Sequence, residues 1–61
     1  MWVVLVTFSN KQVNISQEAY RTYTQARAWI LKKDNIKSIN DYMFYDMEND
    51  IRYELKNVYI K

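Results

Sequence analysis

The first β-type segment, Trp2 to Phe8, is apolar on both of the faces that a β-strand presents. One face carries the even-numbered residues of this segment, and the other carries Val3 and Leu5. A strand with two apolar faces normally lies between two layers of structure. The rest of the chain offers only one helix-forming segment, and one helix covers one side of a sheet. We therefore expect the other side of the sheet to lack a covering layer.

An alternating apolar and polar segment follows the first strand and predicts a β-hairpin. Its loop is predicted at Asn10 and Lys11, because Asn tolerates the positive φ that a two-residue type I′ turn requires. That loop would pair Phe8 with Val13. In this register Val13 and Ile15 lie on the same face as the even-numbered residues of the first strand.

The helix signal begins at Thr22, whose hydroxyl can cap the first turn, with Gln25 three residues later as in a capping box. The spacing predicts a helix from about Tyr23 to Lys33. Its apolar stripe consists of Tyr23, Ala26 and Ile30, with Trp29 at the edge.

The remaining segments predict an α+β fold. Asp34 to Asn40 is a polar connection, and Tyr42 to Met47 pairs with Ile51 to Leu55 in a second hairpin. Val58 to Ile60 is a short strand or continues the last one. We expect a single domain over residues 1–61, in which an antiparallel sheet of two hairpins, with four or five strands in ββαββ order, packs against one helix.

The second hairpin cannot turn all of its apolar residues toward one core. With a three-residue loop, Tyr42 and Phe44 point away from the core. With a loop of two or four residues, Met43, Tyr45 and Met47 point away. Residues 34–40 or the C-terminal residues would cover these outward-pointing side chains if they folded over them. Otherwise the outward-pointing side chains predict a protein interface, because Met and Tyr are common at such interfaces. The candidate interface residues are Val3, Leu5, Tyr42, Met43, Phe44, Tyr45 and Met47.

The composition favours association over catalysis. A chain of 61 residues is near the lower size limit for a self-sufficient hydrophobic core, and it has no Cys or His for a disulfide or zinc site. Self-association as a homodimer is the remaining source of stability. Without Gly there is no phosphate-binding loop, and without His the commonest general base is missing. We expect no enzyme activity and no cofactor.

An acidic segment, with Asp41, Asp46, Glu48 and Asp50 and no base, resembles a calcium loop in part. Asp46, Glu48 and Asp50 have the required spacing, but Ile51 stands where such a loop needs Gly. The segment therefore predicts turn conformations and no metal site. Imitation of nucleic-acid phosphate by these four acids is the alternative.

The charge is uneven along the chain, with net +4 over residues 1–33 and net −2 over residues 34–61. Lys11, Arg21, Arg27, Lys32 and Lys33 supply the positive charge. These five bases form no cluster in the sequence, so nucleic-acid binding through them is only the second hypothesis. No basic segment precedes the apolar N-terminus and no stretch is long enough to span a membrane, which predicts a cytoplasmic protein.

In size, composition and hairpin, helix, hairpin order, the chain resembles the small accessory proteins encoded by bacteriophages and prophages of low-GC bacteria. The resemblance rests on the segments WVVLVTF, TYTQARAWILKK and FYDMENDIRYEL. It implies a compact, often homodimeric binder that obstructs a protein of the bacterial host, such as a component of restriction, CRISPR or helicase-based defence. In size and in the expected homodimeric state, the chain is similar to the short inhibitors of the Hachiman defence system.

Overall fold

A computed structural model describes residues 1–16 and 18–58 of the chain. These residues form one five-stranded sheet and one helix, so the expected α+β class is confirmed. The elements are β1 (Trp2–Thr7), β2 (Val13–Ile15), α1 (Tyr23–Leu31), β3 (Ile36–Ser38), β4 (Met43–Asp46) and β5 (Ile51–Asn57). Among the described residues, no helix is long and apolar enough to cross a membrane.

The predicted element order, ββαββ, is wrong, because the order is ββαβββ. The additional strand, β3, lies inside the segment that the sequence predicts as a connection. It has three residues, of which only Ile36 packs against the core, so it has no alternation that could be recognised. Val58 lies beyond the end of β5, and Tyr59 and Ile60 are outside the described residues.

All strand pairs are antiparallel, and the sheet order is β2-β1-β5-β4-β3. The first and last strands of the chain therefore lie side by side at its centre, paired from Trp2 with Asn57 to Thr7 with Arg52. Since β3 extends the sheet sideways beyond β4, it does not fold over either face.

The loop of the first hairpin has three residues, 9–11, and the predicted two-residue loop is wrong. The N–H of Lys11 donates to the carbonyl of Phe8 at 2.9 Å, and the N–H of Phe8 donates to the carbonyl of Gln12 at 2.9 Å. Lys11 adopts a φ of 70°, so it takes the left-handed position that the sequence assigns to Asn10. A type I turn followed by a left-handed residue is the usual three-residue hairpin loop.

This loop shifts the register of β2 by one residue. Thr7 pairs with Val13, and Leu5 pairs with Ile15. Because successive side chains of a strand alternate between faces, the shift turns both β2 residues to the side opposite the predicted one. Val13 and Ile15 are consequently 55% and 64% exposed.

The second hairpin has a four-residue loop, 47–50, which is one of the two loop classes left open by the sequence. Asp46 pairs with Ile51, and Phe44 pairs with Tyr53. Phe44 therefore faces the helix and is 0% exposed, while Met43 and Tyr45 lie on the other side of the sheet.

Helix α1 begins as predicted and ends two residues earlier than predicted, at Leu31. The hydroxyl of Thr22 accepts a hydrogen bond from the N–H of Gln25 at 3.1 Å, which caps the first turn. The predicted stripe packs on the sheet, with Ala26 and Ile30 0% exposed. The buried apolar core consists of Val4, Ala26, Ile30, Phe44, Tyr53 and Leu55.

Candidate functional site

The face of the sheet opposite the helix, called the open face below, carries most of the candidate interface residues. No described helix or strand covers it. Strand register places on it Val3, Leu5 and Thr7 from β1, Val13 and Ile15 from β2, Lys37 from β3, Met43 and Tyr45 from β4, and Arg52, Glu54 and Lys56 from β5. The face of a sheet that is in contact with water normally carries polar side chains. On the open face, however, the side chains of β1 and β4, the two strands that flank β5, are mainly apolar.

The charges of the open face are concentrated on the central strand. Arg52, Glu54 and Lys56, called the charged row below, follow one another along β5, and the carboxylate of Glu54 lies 3.8 Å from the ammonium of Lys56. Leu5 and Met43 are the cross-strand neighbours of Glu54 on its two sides. The open face is thus an apolar surface divided by one row of alternating charge.

Four of the seven candidate interface residues lie on the open face: Val3, Leu5, Met43 and Tyr45. Phe44 does not, and its assignment to an interface is corrected, because its side chain is fully buried against the helix. The guanidinium of Arg27 lies over its ring, 6.0 Å from the centroid.

Tyr42 and Met47 are exposed but lie apart from the open face. The ring of Tyr42 is stacked on that of Trp2 with centroids 6.1 Å apart, and it meets the ring of Tyr23 edge-on at 5.7 Å. Tyr23 is a helix residue, so this aromatic cluster belongs to the helix side of the sheet. Met47 lies in the β4–β5 loop and is 58% exposed.

Val13 and Ile15 are open-face residues that the sequence assigns to the core. Their alternation with Asn14 identifies a strand, but it does not determine which face of the sheet the two apolar side chains occupy. Only the length of the preceding loop decides which side they take. The polar residues 9–12 fit a loop of two or of three residues equally well, so the sequence carries no signal that decides between them.

The four acids do not form one exposed cluster, and the inclusion of Asp46 in an exposed acidic loop is corrected. Asp46 is 4% exposed and ends β4. One of its carboxylate oxygens accepts hydrogen bonds from the N–H groups of Glu48 and Asn49 at 3.0 and 3.1 Å, and the other accepts from the side-chain amide of Asn49 at 2.9 Å. The carboxylate of Asp46 therefore holds the loop together.

These hydrogen bonds, with that from the Asn49 side chain as the largest contribution, lower the pKa of Asp46 below its ordinary value, against the opposing effect of desolvation. The other acids have separate surroundings. Glu48 accepts from the Asn35 amide at 2.8 Å, and Asp50 accepts from the Tyr45 hydroxyl at 2.5 Å. Within residues 1–16 and 18–58, no three acidic side chains are grouped so that they could hold a metal ion.

Tyr45 connects the open face to the end of the β4–β5 loop. The hydrogen bond from its hydroxyl to Asp50 is the main cause that raises the pKa of Tyr45, with burial adding to it. Asp50 has a φ of 54°, so it also supplies one of the turn conformations expected of this segment. The carboxylate of Asp50 is thereby held next to the charged row.

The five bases of the N-terminal half are distributed over several places, and two of them share a groove. The ammonium of Lys33 lies over the ring of Trp29, 4.3 Å from its centroid, and Arg27 lies over Phe44. Arg21 and Lys32 line a shallow groove beside the helix, and Lys11 is in the β1–β2 loop. Nucleic-acid binding through these bases therefore stays the second hypothesis.

Comparisons of the chain with protein-family models, with curated proteins and with solved structures found no match.

Proposed function

We propose that the protein is a non-catalytic binding module that forms a homodimer through its open face and, as a dimer, obstructs a larger protein of a bacterial host. The apolar character of the open face is the observation that carries the proposal. Val3, Leu5 and Met43 occupy positions at which a sheet in contact with water normally has polar side chains.

The most exposed aliphatic residues of this surface lie on β2. Ile15 is 64% exposed and Val13 is 55% exposed, side by side with Leu5 and Thr7. Contiguous exposed apolar surface on a small soluble domain marks an interaction site. Burial of this surface also supplies the stability that a chain of 61 residues gains only with difficulty from its own core.

The size of the open face limits the surface that a homodimer can bury. Five strands spaced about 4.8 Å apart and three open-face residues along the central strand give a footprint of roughly 20 Å by 20 Å, or roughly 400 Å². This is about half of the roughly 800 Å² per partner of a standard interface. We therefore expect a homodimer that dissociates on dilution, and its dissociation constant has to be measured because buried area does not set affinity.

The first test places a charge on the open face. Ile15→Lys should abolish self-association in sedimentation velocity across micromolar to millimolar concentrations, because the lysine must lose its hydration at the interface. Leu31→Lys is the matched control, since Leu31 is also an exposed aliphatic residue, 43% exposed, but belongs to the helix. A wild-type chain that is folded and monomeric at millimolar concentration would contradict the dimer.

A second test addresses the obstruction of a host protein. Expression of the chain in bacteria that carry a restriction, CRISPR or helicase-based defence system should raise the plating efficiency of a phage sensitive to that system. Ile15→Lys, expressed to the same level, should lose this effect if the dimer is the active form. Unchanged plating with all three kinds of defence would remove this part of the proposal and leave the dimer standing.

A further inference from the structure

The charges near β5 alternate in sign along the open face. Arg52, Glu54 and Lys56 are open-face residues by their pairing with β1. Asp50 precedes the strand, and its hydrogen bond with the open-face residue Tyr45 holds its carboxylate at the same end of the sheet. The order from residue 50 to residue 56 is therefore negative, positive, negative, positive at every second position.

A second copy on the open face must bring these charges into a low-dielectric interface, where unpaired charges are costly. Two identical surfaces meet about a two-fold axis that lies in the interface. An axis along β5 would place each charge of the row opposite its own copy, which is repulsive, whereas an axis across β5 makes the two central strands run antiparallel to each other. Aligned sheets cross at about 30°, which keeps the residues near the axis close to their counterparts. The position of the axis along β5 then decides which charges meet.

The registers differ sharply in charge pairing. An axis at Arg52 or at Glu54 places that residue opposite its own copy, which is repulsive. An axis between Glu54 and Lys56 pairs these two residues in both directions, but it leaves Arg52 opposite an apolar residue, Val58, which lies beyond the end of β5. An axis between Arg52 and Glu54 places these two residues opposite each other in both directions and brings Lys56 opposite Asp50.

We infer that the homodimer forms with the axis between Arg52 and Glu54, so that Arg52 of each subunit binds the partner subunit's Glu54 and Lys56 lies opposite the partner subunit's Asp50. This inference rests on the proposed function, because it specifies how a second copy covers the open face. The paired charges are then flanked by the apolar residues Val3, Leu5 and Met43 of each subunit. The charged row determines the register in which these apolar residues meet those of the second copy.

The ion pair between Glu54 and Lys56 within one chain does not prevent Glu54 from binding Arg52 of the second copy. Glu54 and Lys56 are 3.8 Å apart, with side chains 34% and 53% exposed, and a pair in such a position contributes little. Arg52 has no hydrogen bond or ion pair with a side chain within the described residues and is exposed. Its planar guanidinium can bind a carboxylate through two parallel hydrogen bonds, which favours Glu54 as its partner across the interface.

Reversal of one charge at a time tests the register. Arg52→Glu alone and Glu54→Arg alone should each weaken self-association on the order of tenfold or more, because like charges then meet twice in each homodimer. An equimolar mixture of the two variants should form a heterodimer as tightly as the wild type. The double variant R52E/E54R should again form a homodimer. Sedimentation velocity with one variant fluorescently labelled distinguishes the species.

The mixture is its own control for folding, since an unfolded variant cannot form a heterodimer. If Ile15→Lys dissociates the dimer while both charge reversals leave self-association unchanged, the register is wrong and the proposed open-face dimer remains. If both single variants are weakened and the mixture does not recover, the register is also overturned. A wild-type monomer at every concentration would overturn both the register and the dimer.

Discussion

Replacement of Phe44 distinguishes a core residue from an interface residue. Phe44 is 0% exposed and packs in the core cluster with Ile30 and Tyr53, so Phe44→Ala leaves a cavity. Such a substitution costs about 3–5 kcal/mol of unfolding free energy. A domain of 61 residues has roughly 3–9 kcal/mol in total, so most Phe44→Ala molecules should be unfolded or close to unfolding at 37 °C.

Phe44→Leu provides a measurable intermediate, with an expected loss of about 1–2 kcal/mol. For a domain of this size this corresponds to a fall in Tm of roughly 5–15 °C. Urea unfolding followed by tryptophan fluorescence, at two protein concentrations a hundredfold apart, gives the loss. Because the core of each subunit is the same in monomer and dimer, the loss should not depend on concentration.

Ile15→Ala is the comparison on the open face. About a third of Ile15 is buried within one chain, so the substitution should cost about 0.5–1 kcal/mol at low concentration. Its effect should grow at the higher concentration, where binding of a second copy stabilises the wild type. If Phe44→Ala instead stays folded, loses less than about 1 kcal/mol and abolishes self-association, the register of the second hairpin and the assignment of the core are both refuted.

Two further predictions concern the loops. Lys11→Gly should stabilise the protein by about 0.5–1 kcal/mol in urea unfolding, because Lys11 has a φ of 70° that glycine adopts without a steric penalty; destabilisation would argue against the three-residue loop. The lowered pKa of Asp46 should contribute stability that is fully present above the ordinary aspartate pKa of 3.8 and is lost as the pH falls through the lower folded-state value. Asp46→Asn should therefore unfold more readily at neutral pH and show a shallower loss in acid, and an identical acid profile in the two proteins would count against the buried carboxylate.

The sequence determined the elements with strong local signals. The capping threonine at position 22 and the 3.6-residue period placed the start and the buried stripe of α1, because both depend on residues within a few positions of one another. The apolar run of β1 predicted a sheet with one unprotected face for a similarly local reason. The positive φ of Asp50 is a turn conformation of the kind that the sequence predicts for the acidic segment.

The tertiary structure decided whether β3 forms and on which face of the sheet the side chains of each strand lie. Strand β3 exists because β4 offers an edge on which three residues can pair, and so short a segment has no signal of its own. One residue more in the first loop moved Val13 and Ile15 from the core to the open face. The four-residue second loop decided between the two alternatives left open by the sequence and placed Phe44 in the core. Since side-chain direction in a strand repeats every two residues, a loop-length error of one residue reverses a whole surface. The alternation of residues 50 to 56 could be read in the sequence, but its place across the middle of an apolar face depends on the pairing of β5 with both β1 and β4.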